Sequence, residues 1–189
     1  MKIKLLRFKS VKSTNDTALR LIKNKYTKPT IITSLKQTRG RGKMGKKWIS
    51  KKGNLFFTIF FELEQKKINF KHFAFLNAYL IRRIISKEFK SKINIKWPND
   101  LLFNKKKICG ILQETITYGK KKFLIVGMGI NTNFDPNMNS FSSTCLKYII
   151  NKKIDNNKLL YIIKKKYEKF LIKTNKYSYL KLIKYTNST

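Results

Sequence analysis

Three glycines and five cationic side chains crowd into the segment Gln37-Thr38-Arg39-Gly40-Arg41-Gly42-Lys43-Met44-Gly45-Lys46-Lys47-Trp48. Glycine lets the main chain approach a ligand closely and adopt positive φ. Successive N–H groups in such a loop form an anion-binding concavity, and arginine adds a planar fork of donors suited to phosphate or carboxylate. The chemistry this composition suits is capture of a small anion. Gly40-x-Gly42-x-x-Gly45 also fits the dinucleotide-binding fingerprint, but that pattern must open a helix. Here the chain passes through the turn residues Gly53-Asn54 into strand formers, Leu55 to Phe61. No helix N-terminus is on hand for a pyrophosphate. No Gly-Lys-Ser/Thr ending makes a Walker loop, and no catalytic-loop or metal-binding motif of the protein kinases follows. A flexible basic loop without a ligand is the plain alternative.

Four further clusters carry polar or charged groups at places where strands begin or end. They are Ser13-Thr14-Asn15, Lys96-Trp97-Pro98-Asn99-Asp100, Lys107-Ile108-Cys109-Gly110-Ile111-Leu112 and Val126-Gly127-Met128-Gly129-Ile130-Asn131. Taken singly, each has an ordinary structural reading. Ser13 or Thr14 caps a helix, Trp48 and Trp97 pack, Pro98 ends a strand, and Lys105 and Lys106 are solvated turn residues. Asp100 is one of nine acids among 44 cations, so a surface ion pair worth about 0–1 kcal/mol accounts for it.

The elements that must position these groups are legible from periodicity. Ile3 to Phe8 and Thr30 to Leu35 are strand-like, and Ala18, Leu19, Leu21 and Ile22 mark a helix between them. Phe70 to Phe89 is helical, with Phe73, Leu76, Leu80, Ile81, Ile84 and Ile85 on the core side. Ile93 to Trp97 is a short strand. Leu101 to Phe103 and Lys107 to Thr117 form a hairpin around Asn104-Lys105-Lys106, and Tyr118-Gly119-Lys120 turns into a last strand, Lys122 to Ile130. Asn157 to Tyr185 is helical. No internal repeat or Pro-rich linker divides the chain. The mixture lacks a strict β-α-β rhythm, which predicts an α+β fold: a mixed, mostly antiparallel sheet with helices packed on one face.

Bulk properties exclude several classes. The 189 residues suit one domain, and no apolar stretch suits a bilayer span. Lys2, Lys4, Arg7 and Lys9 interrupt any signal-peptide core. Cys109 and Cys145 are too few for a disulfide framework and lack metal-ligand spacing, so a reduced, cytoplasmic protein is expected. The single histidine, His72, reads as structural, which removes His-based triads. The net charge of +35 has two sources open to it. A polyanionic partner is one; the codon bias of an AT-rich genome is the other, and the even spread of lysines favours it.

The five clusters, in this order, closely resemble the catalytic domain of the biotin–protein ligases, strongly over residues 8–135 and weakly beyond. The resemblance implies a single ligase domain over residues 1–189, without an N-terminal helix-turn-helix and without the C-terminal β-barrel domain. It implies activation of biotin by ATP, with Mg²⁺ carried on the nucleotide, to biotinyl-5′-AMP. Transfer to a lysine of the biotin carboxyl carrier domain of acetyl-CoA carboxylase follows. Specific DNA and membrane are not among the implied partners, and a homodimer is left open. Rival readings are a lipoate or octanoyl ligase of related fold, and a degenerate, non-catalytic basic binding protein.

The same resemblance implies residue roles. Arg41 would bridge the carboxylate and the α-phosphate, and Lys107 would contact both reacting groups. Ser13, Thr14, Asn15, Gln37, Gly40, Arg41, Lys107 and Gly110 would bind biotin. Arg41, Lys43, Lys46, Trp48, Lys96, Asn99, Asp100 and Asn131 would bind ATP. No resident metal is implied; Mg²⁺ would lie near Asp100. Gly110, Gly127 and Gly129 would leave room for a flat ligand against the sheet. Lys43 stands where the family commonly has arginine, which keeps the charge and loses the fork.

Overall fold

The computed structural model describes residues 2–63, 68–136, 142–174 and 178–188. Seven strands form one sheet in the order β1-β2-β3-β7-β6-β5-β4. Among the seven strands of the described residues, β1 (Lys4–Phe8) and β2 (Thr30–Ser34) are the one parallel pair, joined by the crossover helix α1 (Thr14–Lys23). The other strand pairs in the sheet are antiparallel: β3 (Leu55–Glu62), β7 (Lys121–Ile130), β6 (Lys106–Tyr118), β5 (Asp100–Phe103) and β4 (Asn94–Lys96). The mixed, mostly antiparallel sheet is therefore as the sequence predicts.

Two-residue periodicity splits the strand side chains between two cores. Ile31, Phe57, Ile59, Leu124 and Val126 join a large cluster with α2 (Phe70–Glu88) and α4 (Asn156–Thr174). Ile32, Phe60, Phe123 and Ile125 face the other way and meet Ala18 and Ile22 of α1. Phe56, Phe57 and Phe60 are fully buried, each contributing about 1.5–3 kcal/mol by leaving water. The expected single helical layer holds for α2, α4 and α5 (Tyr179–Ser188), whereas α1 covers the opposite face. The cause is visible in β3 and β7, whose residues are buried on both sides of the sheet, so a helix must cover each side.

Local chemistry explains the element ends. Ser13 is the N-cap of α1, its side chain accepting from Asp16 N at 3.5 Å. Asn69 caps α2 in a reciprocal box with His72, and His72 also stacks on Tyr179 with ring centroids 3.9 Å apart. The histidine is structural, as expected. Asn104 and Lys105 both take positive φ, as a two-residue hairpin loop demands, so Lys106 belongs to β6 and not to the turn. The helical pattern from 157 onward resolves into two helices, α4 and α5, and a short helix, α3 (Leu146–Ile150), precedes them. Five residues leave too little periodicity for α3 to be read from sequence.

A polar line, buried at its Tyr167 end and open at its Gln113 end, ties three elements together. Tyr167 Oη donates to Asn77 Oδ1 at 2.9 Å, Asn77 Nδ2 to Gln113 Oε1 at 2.8 Å, and Gln113 Nε2 to Phe70 O at 2.8 Å. It fixes α4 and α2 against β6, the strand that carries Lys107 and Gly110.

Candidate functional site

The parallel crossover brings the N-terminus of α1 beside the glycine loop that follows β2. The antiparallel strands β5, β6 and β7 supply the floor. Between them opens a cavity of about 800 Å³. Ser13, Thr14, Asn15, Gln37, Arg41, Lys43, Lys46, Trp48, Lys96, Asn99, Asp100, Lys107 and Gly110 all line it. Residues up to 97 positions apart in sequence thus converge, and most of the singled-out residues share one space. Gly40 and Asn131 are the two that do not line it.

Gly40 is buried in the root of the loop. A Cβ there would stand 2.5 Å from Trp48 O and 2.7 Å from Ser50 Oγ, so the loop closes on itself at this point. Trp48 N donates to Gly40 O at 2.9 Å and Gly42 N to Lys46 O at 2.6 Å. A single 3₁₀ turn, Lys43–Gly45, sits at the tip, with Met44 in the left-handed region and 88% exposed. Asn131 works from behind. Its N–H donates to Ile108 O at 2.8 Å, and its Nδ2 to Thr144 O at 3.2 Å and Lys107 O at 3.4 Å. It holds the end of β7 to the segment bearing Lys107.

Gly110 and Gly129 are cross-strand partners, and both face the side chain of Trp48, which fills the notch they leave. Gly127 in turn faces the amide of Asn15. The space directly over each glycine's Cα holds one of the chain's own side chains, and all three glycines line the cavity. The indole Nε1 is buried and makes no hydrogen bond among the described residues.

The polar wall is a connected network. Thr58 Oγ1, fully buried on β3, lies 2.6 Å from Asn15 Oδ1 and 2.8 Å from Thr14 Oγ1. Thr14 donates to Gln37 Oε1 through both N–H (2.8 Å) and hydroxyl (3.0 Å). Gln37 Nε2 donates to Ser50 Oγ at 2.9 Å. Asn15 Nδ2 donates to Glu114 Oε2 at 2.6 Å.

Charges in the site are paired in specific ways. Lys107 Nζ lies 2.8 Å from Asp100 Oδ1, with the two side chains 19% and 21% exposed. The same ammonium is 5.2 Å from the centroid of the Trp48 ring. Asn99 Nδ2 donates to Ile111 O at 3.2 Å, and Ile111 N donates back to Asn99 O at 2.8 Å, which ties the Lys96–Asp100 turn to β6. Arg41 forms a two-pronged contact with Glu114 and a third with Asp16. Partial burial works to lower its pKa, but the hydrogen bonds and negative field of Glu114 and Asp16 outweigh that and raise it. Burial pushes the Cys109 thiol far above its usual range, so it is no nucleophile.

Sequence reasoning missed Glu114, Thr58, Asp16 and Ser50. Thr58 carried a faint signal as the lone hydroxyl in the otherwise aromatic and aliphatic run Leu55 to Phe61. Among the described residues no group of three His, Cys, Asp or Glu side chains gathers to hold a metal, and no helix is long and apolar enough to cross a membrane.

Comparison with known proteins places this geometry. The profile of the biotin/lipoate A/B protein ligase family matches residues 7–131. The bifunctional ligase/repressor BirA of Bacillus subtilis is 34% identical over 127 residues, 66% of this chain and 39% of that protein. The bifunctional ligase/repressor BirA of Escherichia coli is 35% identical over 97 residues, 50% of this chain and 30% of that protein. The chain thus spans about two fifths or less of the length of these relatives. Among solved structures, the biotin protein ligase from Aquifex aeolicus in complex with biotin and ATP superposes with a TM-score of 0.78 at 30% identity, covering 93% of this chain and 73% of that one. The lipoate complex of LipL1 from P. falciparum, at TM-score 0.65 and 14% identity, shares the fold alone.

Proposed function

The chain belongs to the biotin/lipoate A/B protein ligase family, and from that premise we propose that it activates biotin with ATP and passes the biotinyl group to a carrier-protein lysine. In the first step a carboxylate oxygen of biotin bonds to the α-phosphorus. The α–β bridging bond breaks, and pyrophosphate leaves. In the second, a lysine amine attacks the carbonyl of biotinyl-5′-AMP, loses a proton, and releases AMP. Neither step needs a protein nucleophile, so the work is positioning, charge neutralisation and exclusion of water.

The observation that carries the reading is the convergence of five separated segments on one cavity. Two anions must meet there. Their repulsion at 4 Å is about 4 kcal/mol at an effective dielectric of 20, and cations must offset it. Lys107 is the best placed: it is largely buried, it lies on a strand, and it is held by Asp100. Lys43, Lys46 and Lys96 line the same space and suit the triphosphate. Mg²⁺ arrives with ATP as part of the substrate, and the oxygens of Asn99 and Asp100 suit it or its waters. Thr14, Asn15 and Gln37 form the neutral hydrogen-bonding wall suited to the ureido head of biotin. Trp48 contributes a π-face for the nucleotide base.

We assign the acceptor as the biotin carboxyl carrier domain of acetyl-CoA carboxylase; a relative from Paracoccus denitrificans, 29% identical over 122 residues, bears the name biotin–[acetyl-CoA-carboxylase] ligase. A cytoplasmic setting suits two free, buried thiols. The test is pyrophosphate release from MgATP by the purified chain. Release that requires biotin and is not supported by lipoate is expected. Release with lipoate alone would move the chain to the lipoate branch, and none with either would leave a non-catalytic binding protein.

A further inference from the structure

The fork of Arg41 is already filled. Nη1 donates to Glu114 Oε1 at 3.0 Å and Nη2 to Glu114 Oε2 at 2.8 Å, while Nη2 also lies 2.9 Å from Asp16 Oδ1. One positive charge thus faces two negative ones, and a phosphate brought to this fork would meet two carboxylates at close range. A lone exposed ion pair would mean little, and the Arg41 side chain is 38% exposed. Two features set this one apart. The contact is bidentate, the arrangement that gives arginine–carboxylate pairs both strength and direction. Glu114 Oε2 also accepts from Asn15 Nδ2 at 2.6 Å, so the carboxylate is fixed from the pocket side by a buried residue.

The other end of the loop is tied into the same network. Trp48 O accepts from Ser50 Oγ at 3.3 Å, and Ser50 leads back through Gln37, Thr14 and Thr58 to Asn15. A chain of polar contacts, in which the one Thr58 hydroxyl proton lies between Thr14 Oγ1 and Asn15 Oδ1, therefore leaves the loop at Trp48, crosses the pocket wall and returns to the loop at Arg41 through Glu114.

We propose that Glu114 is a positioning residue, that it and Asp16 form with Arg41 the clasp that seats the glycine loop over the site, and that the anion is received by the lysines and not by Arg41. The clasp itself is independent of the ligand's identity; only its kinetic consequence rests on the ligase reading. An open loop reduces the binding-competent fraction, so the apparent dissociation constant rises in proportion.

Glu114→Gln keeps an acceptor for Asn15 and every trypsin site, and removes the charged fork. In the ligand-free full chain, trypsin cleavage within 41–47 should speed up by about tenfold relative to cleavage elsewhere, the scale of one strong charge-assisted contact. A ratio equal to the parent's overturns the clasp, whatever the activity. In the kinetic arm, Glu114→Gln, Arg41→Lys and the double variant should each raise KM for biotin by about tenfold, with the loss falling on KM more than on kcat. The double variant should be no worse than the worse single one, as for two members of one contact. Additive losses, or a parent-like Arg41→Lys beside an Arg41→Met that loses about 10²–10³ in kcat, would make Arg41 the anion's cation and overturn the proposal. Absence of biotin-dependent pyrophosphate release from the parent counts against the ligase reading alone and leaves the proteolysis result standing.

Discussion

A Cβ on Gly110 would fall 2.5 Å from Cζ3 of Trp48, closer than real side-chain contacts allow. The glycine is therefore the seat of the indole, and Gly129, its partner across the β6–β7 pair, completes that seat. The obstacle on the glycine side is backbone-borne, so on substitution the tryptophan must move.

Gly110→Ala is expected to evict the indole while leaving the sheet intact. In a Trp97→Phe background, which removes the other, 57% exposed tryptophan, emission should shift to the red and acrylamide quenching should rise. Biotin-dependent pyrophosphate release should fall by about 10²-fold, the scale of an ångström-sized misplacement. Unchanged emission would show that the loop absorbs the extra methyl group.

Lys107→Ala should reduce adenylate formation by about 10²–10³-fold with little change in biotin affinity, because its charge matters most where negative charge gathers. Asp100, 2.8 Å away, loses its partner at the same time. Lys107→Ala combined with Asp100→Asn should recover stability but not rate. Adenylation at the parent rate in either variant would remove Lys107 from its assigned role.

Tyr167→Phe should cost stability and spare chemistry. The ring is fully buried, and loss of its hydroxyl leaves Asn77 Oδ1 without its donor. An unsatisfied buried acceptor costs about 1–3 kcal/mol, and for a chain of this size each kcal/mol lowers the melting temperature by about 2–4 °C. Thermal melts and the rate per folded molecule, measured side by side, test both halves.

Glu168 gives a pH dependence of known sign. Burial tends to raise its pKa, but its hydrogen bonds to Lys164 and to Ile3 N, with the field of Lys164, lower it below the usual 4.5. A group whose folded pKa is lowered contributes stability that is full above the unfolded value and is lost as the pH falls through the folded one. Acid titration should therefore unfasten α4 from the N-terminal segment, where Glu168 Oε1 accepts from Ile3 N at 2.9 Å. Glu168→Gln should flatten this part of the stability profile on the acid side of the ordinary carboxylate range, and a slope equal to the parent's would remove Glu168 from the account.

Much of this was legible from residues alone, for identifiable reasons. Strands such as Leu55 to Phe61 announce themselves by composition, and the Lys-Trp-Pro-Asn-Asp and Lys-x-x-Gly-Ile-Leu pieces carry order and spacing as well as type. Their gathering around one cavity follows from the strand order, which places β5, β6 and β7 side by side. Glu114 was not legible, because one acid in a strand of alternating polarity reads as a solvated face. Only the fold brings it opposite Arg41, 73 residues away in sequence. Asn131, expected at the nucleotide, lies behind the cavity wall and donates to Ile108 O, Lys107 O and Thr144 O, because an asparagine at a strand end offers the same groups to a carbonyl as to a nucleotide. The opposite placement of α1 was hidden because the residues of β3 are apolar on both sides.

The glycine seat beneath Trp48 also bears on inhibition. A compound that displaces the indole and rests on Gly110 and Gly129 presses on main chain. At Gly110 and Gly129 themselves the contact is main chain, so resistance there would have to install a side chain rather than trim one. Any residue installed at either position would exclude the inhibitor only by excluding Trp48 too. At these two positions escape and loss of the native loop arrangement are thus the same mutation, so resistance arising there carries its own penalty.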